Sequence, residues 1–91
     1  MQPIQTSRAF GAAVRQARKN SGLSQTELAA KAGVGRPWLS QLETGKRTVE
    51  LGRALLVLHA LELSVTFVPT DKPTSGTVDL GELIEDGRAN E

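Results

Sequence analysis

The chain has no cysteine, a single histidine, only three aromatic residues (Phe10, Trp38 and Phe67) and no long uninterrupted apolar run. Each absence removes a class of protein. Without cysteine there is no disulfide framework and no thiolate metal site, and His59 has no second imidazole with which to hold a metal. His59 lies amid leucines on a predicted helix and reads as a residue of the core edge or of a dimer interface. No serine sits in a nucleophile elbow, and Gly33-Val34-Gly35 is not a phosphate loop, because no strand precedes it and a helical corner already explains Gly33. Neither catalysis nor a cofactor is expected. The lack of an apolar stretch of spanning length and of a signal-like N-terminus predicts a cytoplasmic protein with no membrane partner. Because aromatics are so few, the hydrophobic 38% of the chain is chiefly Leu, Val and Ala, which favours a core packed between helices.

What is present is a charge asymmetry. Through residue 62 there are nine Lys or Arg against four acidic residues; from residue 63 onward there are two against six. A basic body suits a polyanionic partner, and the acidic tail suits something else. Ninety-one residues make one small domain whose core is only marginally stabilising, so a dimer is expected.

Local signals divide the chain further. Residues 1–6 lack periodicity and read as a flexible arm. Ser7 is the expected cap of a first helix running to about Asn20, with Phe10, Val14 and Ala17 on one face and Ser21-Gly22 as its stop. Ser24 followed three residues later by Glu27 forms a capping box that opens a second helix. Leu28 and Ala29 face inward there, Gly33 is the left-handed residue that turns the chain, and Val34 plugs the corner. Arg36-Pro37 opens a third helix, since proline is tolerated in a first turn; Leu39 and Leu42 point inward and Thr44-Gly45 ends it. Lys46-Arg47 form a basic loop, Thr48 is the expected cap of a fourth helix, and Leu51, Leu55, Leu58 and Leu61 make its apolar stripe.

After Leu61 the period shortens to two. Leu63, Val65 and Phe67 alternate with Ser64, Thr66 and Val68, which predicts a strand over 63–68 that pairs with its counterpart in a second copy. Residues 69–91 read as an acidic, disordered tail in which Leu80, Leu83 and Ile84 share one side of a short helix over 79–86. The expected fold is mainly α: a bundle of four to five helices over residues 7–68, closed by a strand shared across a homodimer.

Two helices joined by a glycine corner, the second polar at its exposed start, suit a reader of the DNA major groove. The pattern Gln25-x-x-Leu28-Ala29-x-x-Ala32-Gly33-Val34-x-x-x-x-Leu39-Ser40-x-x-Glu43-x-Gly45 resembles the Cro and lambdoid-repressor (XRE) helix-turn-helix family, and the motif with its flanking helices covers residues 7 to 61. The resemblance implies a lambda-repressor-like fold and double-stranded DNA as partner. It places Arg36, Pro37, Ser40 and Gln41 at base edges. Arg36 is suited to bidentate reading of guanine and Gln41 to adenine, while Pro37 offers only van der Waals contact. Gln25, Thr26, Thr44, Lys46 and Arg47 are expected at the DNA backbone, fixing register without reading sequence. Trp38 is also expected along that backbone, with packing against the second helix as its alternative. Arg18 and Glu43 match a pair that forms a buried salt bridge in this family. Gly35 departs from the usual Ser or Thr cap.

The segment Leu51 to Phe67, ending Ala60-Leu61-Glu62-Leu63-Ser64-Val65-Thr66-Phe67, looks like HipB-type antitoxins, in which the fourth helix runs into a strand shared across the dimer. That likeness implies a repressor of its own operon, acting on a palindromic operator, with a HipA-like kinase toxin as a further partner. Leu63, Val65 and Phe67 are then the dimerisation residues. Two other readings fit the same residues: a stand-alone phage-like or restriction-controller repressor without toxin, and a protein-binding adaptor that keeps the helix-turn-helix as scaffold.

Overall fold

The computed structural model describes residues 3–70. Among them are four helices, α1 (Ser7–Asn20), α2 (Gln25–Ala32), α3 (Arg36–Glu43) and α4 (Leu51–Ala60), and no strand. The expected tail helix over 79–86 lies outside the described residues.

The starts of the helices follow local chemistry with two corrections. Thr6, not Ser7, caps α1: its backbone is extended and its Oγ1 accepts the Ala9 N–H at 3.0 Å. Ser7 is already helical, and its hydroxyl instead donates to the Gly45 carbonyl at 3.2 Å, fastening the start of α1 to the end of α3. The capping box of α2 is as expected, with Glu27 N–H on Ser24 Oγ at 3.0 Å and Ser24 N–H on Glu27 Oε1 at 2.8 Å. Helix α3 starts from Gly35 with no side-chain cap and carries Pro37 in its first turn. Helix α4 begins after Glu50 rather than at Thr48. Val49 packs against the core, and the chain stays non-helical through Glu50 to bring it there.

The helix ends share one device. In each, a residue just after the last turn has positive φ (Gly22, Gly33, Gly45 and Glu62), and the next N–H reaches back five residues. At α2 this places Val34 N–H on the Ala29 carbonyl at 3.0 Å; at α4 it places Leu63 N–H on the Leu58 carbonyl at 2.8 Å. Gly33 adopts φ 77° without a Cβ penalty. Glu62, at φ 61°, adopts the left-handed backbone at a cost of roughly 1 kcal/mol.

The core holds Val14 of α1, Leu28, Ala29 and Ala32 of α2, Leu39 and Leu42 of α3, and Val57, Leu58, Ala60 and Leu61 from α4 and its end. Phe10, Ala17, Leu23, Val34, Trp38 and Val49 close its margins. The stripe expected on α4 is only half right. Leu58 and Leu61 are buried, together with Ala54 and Val57, whereas Leu51 is 70% exposed and Leu55 and Leu56 also face outward. Helix α4 is apolar on nearly its whole circumference, so periodicity marks residues that share a face without saying which face meets the core. The outward leucines form a second apolar surface, and Leu63, Val65, Phe67 and Val68 continue it. In the single chain residues 63–68 form no strand, because a ladder needs a second backbone and none of the described residues supplies one.

Candidate nucleic-acid interface

Helix α3 has two unlike sides. Leu39, Leu42 and Glu43 are buried, while Arg36, Pro37, Gln41 and Thr44 are exposed and Ser40 is partly so. The spacing of 36, 37, 40, 41 and 44 puts these side chains along one stripe of the helix, opposite the leucines that anchor it. All four residues expected at base edges therefore stand together on an open surface. The Arg36 side chain makes no hydrogen bond or ion pair with the described residues, so its five donors are available to a ligand.

The residues expected at the DNA backbone flank that stripe, but several are already engaged. Lys46 Nζ donates to Gln41 Oε1 at 3.2 Å, and the Thr44 hydroxyl donates to the Gln41 carbonyl at 2.9 Å. A phosphate contact from Thr44 thus requires its hydroxyl to rotate away from the helix end. Thr26 and Arg47 are exposed on either side. Trp38 is half-buried and packs partly against the core, with the rest of its surface open. Arg8 is a residue that sequence reasoning misses. Its backbone lies against Gly45, so close that a Cβ built on Gly45 would stand 2.9 Å from Arg8 Cα, and this adds an exposed cation beside Lys46 and Arg47. No sequence signal links positions 8 and 45; the crossing of α1 and α3 does.

Beneath the stripe lies an ion pair. Arg18 of α1 donates through Nε to Glu43 Oε2 at 2.7 Å and through Nη2 to Oε1 at 3.0 Å, with 8% and 7% of the two residues exposed. Arg18 Nη1 also donates to the Leu23 carbonyl at 2.9 Å, and Gln25 Nε2 donates to Glu43 Oε1 at 3.1 Å. Gln25, expected at a phosphate, therefore turns one of its amide N–H bonds inward. Burial pushes the Glu43 carboxyl up, but the hydrogen bonds from Arg18 and Gln25 and the charges of Arg18 and Arg15 outweigh it and hold the group below the ordinary carboxylate range. The hydrogen bond to Glu43 raises Arg18 above its usual value against the opposing effect of burial. Such a pair adds little net stability relative to apolar packing, yet removing one partner leaves a buried charge and costs ~3–5 kcal/mol.

His59 lies outside the core, on the outer side of α4, where it lines an open groove of about 580 Å³ with Lys31, Leu56 and Leu63. Among the described residues no group of His, Cys, Asp or Glu is placed to hold a metal ion, and no helix is long and apolar enough to cross a membrane.

Comparison with known proteins agrees with this geometry. A family model described as Helix-turn-helix matches residues 14–68. An uncharacterized HTH-type transcriptional regulator of Sinorhizobium fredii is 45% identical over 62 residues, covering 68% of this chain and 82% of that protein. Among solved structures, a chain in a HipA-HipB-O2-O3 complex superposes with a TM-score of 0.73 at 30% identity, covering 78% of this chain and all of that one. A chain in a HipB-O4 20mer complex gives the same TM-score and coverage at 28% identity. By the match over α1 to α4, the corner at Gly33 and the exposed stripe of α3, the chain belongs to the XRE-type helix-turn-helix family of DNA-binding transcriptional regulators.

Proposed function

We propose that the protein is a sequence-specific repressor that binds a palindromic operator as a homodimer and serves as the antitoxin of a HipBA-like module, autoregulating its own operon. The observation that carries the DNA-reading part is the stripe of Arg36, Pro37, Ser40 and Gln41, exposed on a helix whose opposite side is locked into the core. Arg8, Lys46 and Arg47 beside it supply phosphate contacts, and Gln25 and Thr26 at the start of α2 supply two more. Dimerisation is favoured by the second apolar surface of Leu51, Leu55, Leu56, Leu63, Val65 and Phe67, which a lone chain leaves in water. Paired strands over 63–68 satisfy both the apolar side chains and the open backbone there. Two copies then present α3 twice, to half-sites ~34 Å apart. The toxin partner is supported by the likeness to chains in HipB complexes, one of which contains HipA.

The test is selection of genomic fragments by the purified protein, followed by binding of the selected site to Arg36→Ala. Loss of ~1–3 kcal/mol confined to one base pair per half-site supports bidentate reading. An equal loss on all sequences makes Arg36 a phosphate contact, and no salt-sensitive DNA binding at all leaves only the adaptor reading. Co-purification with a kinase encoded by the adjacent reading frame separates an antitoxin from a stand-alone repressor.

A further inference from the structure

We propose that Glu43 is a positioning residue for DNA binding: the carboxylate that ends α3 aims the Gln25 carboxamide at a phosphate, which joins the buried Arg18–Glu43 pair to the DNA contact surface. The inference rests on the DNA-reading assignment above and assigns a new role to a pair otherwise explained as structural.

The physical basis begins with donor chemistry. An ionised carboxylate only accepts hydrogen bonds, so the group of Gln25 that faces Glu43 Oε1 at 3.1 Å must be Nε2 and not Oε1. With Nε2 held there, its second N–H points away from the carboxylate. That N–H suits an anionic acceptor. Were Glu43 neutral, its hydroxyl could donate, and the amide would be free to present its oxygen, which repels a phosphate. The two-pronged hydrogen bond from Arg18, at 2.7 and 3.0 Å, keeps the carboxylate ionised and fixes its plane.

The same guanidinium sets distance as well as polarity. Arg18 Nη1 holds the Leu23 carbonyl at 2.9 Å, two residues before Gln25 begins α2, while its other nitrogens hold the last residue of α3. The start of the helix expected to meet a phosphate and the helix expected to meet the bases are thus fastened to one buried group of α1. Gln25 is partly buried and already held, so binding loses little of its side-chain freedom. Gln41, by contrast, is tied only by the exposed Lys46.

The experiment scans the selected operator with single methylphosphonate linkages, each of which removes one phosphate charge. For the wild type, several linkages per half-site should weaken binding, and at one of them, worth about tenfold, Gln25→Ala should abolish the sensitivity while leaving the others unchanged. Glu43→Gln should abolish it at the same linkage, while preference at the base pair read by Arg36 and sensitivity at the Lys46 linkage persist. A purely structural role predicts that all linkages weaken together. That outcome, or retained sensitivity at the Gln25 linkage, overturns the proposal. If Glu43→Gln does not fold, the wild type still decides: one of the two Gln25 side-chain amide protons should be shifted downfield of its position in free glutamine by the hydrogen bond to the carboxylate, and two protons at free-glutamine positions overturn the proposal. Absence of specific operator binding by the wild type defeats the DNA-reading assignment and this inference together, whereas specific binding with an undisturbed Glu43→Gln pattern defeats the inference alone.

Discussion

Gly11→Ala sets two known effects against each other, and the structure decides between them. In the middle of a helix alanine is favoured over glycine by ~1 kcal/mol, so propensity alone predicts a more stable protein. Gly11, however, is buried where α1 crosses α3, and a Cβ there would lie 2.2 Å from the Leu42 carbonyl oxygen and 2.9 Å from that of Glu43. Both obstacles are backbone, so no rotamer change relieves them. To reach ordinary contact the two helices must separate by about 1 Å, which opens the packing around Val14 and Leu42. Overpacking of this kind costs ~1–3 kcal/mol. The displaced residue, Glu43, also carries the ion pair with Arg18, which lengthens with the same movement. The expected net result is a loss of ~1–2 kcal/mol, or a fall in Tm of about 5–15 °C for a domain of this size. Thermal unfolding followed by circular dichroism measures it. A Tm equal to or above that of the wild type would refute the close crossing and with it the assigned position of α3.

Other perturbations test other parts of the molecule. Because Glu43 is held below the ordinary carboxylate range, the unfolded chain binds more protons at acid pH, so its contribution is complete above about pH 4.3 and is lost as pH falls through the folded value. Urea midpoints between pH 6 and pH 3 should fall more steeply for the wild type than for Glu43→Gln; parallel curves would remove the pair from the acid response. Lys46→Ala or Arg47→Ala should flatten the plot of log affinity against log salt by about 0.9 for each phosphate no longer neutralised, without changing base preference. Phe67 is 94% exposed in the single chain, and Phe67→Asp should halve the sedimentation mass if it packs in a dimer; an unchanged mass would exclude the shared strand. Glu62→Gly should raise stability by up to ~1 kcal/mol by relieving the left-handed backbone, and an unchanged Tm would deny that strain.

Three of the four helix stops are legible in the chain because glycine at 22, 33 and 45 is a local signal that needs no knowledge of distant residues. The fourth is not, since Glu62 occupies a glycine's conformation through the packing of Leu58 and Leu61 rather than through its own preference. The capping box of Ser24 and Glu27 and the corner at Gly33 are visible for the same local reason. Thr48 is a false signal: a capable cap is overridden by the need to bury Val49.

The sequence by itself determined that there are four helices and where three of them end, where the polar stripe of Arg36, Pro37, Ser40 and Gln41 begins, and that a basic surface adjoins it, because these depend on composition and on spacings of a few residues. Only the tertiary structure decided which side of α4 meets the core, that Arg8 joins Lys46 and Arg47, that Trp38 packs partly against the core, and that Gln25 is held by the Glu43 carboxylate. These relations bring together residues far apart in the chain: the side of α4 that meets the core is set by its packing on α2, and the meeting of Arg8 with the end of α3 is set by how closely α1 and α3 approach, a distance permitted by the missing side chain at Gly11 and invisible to any local pattern.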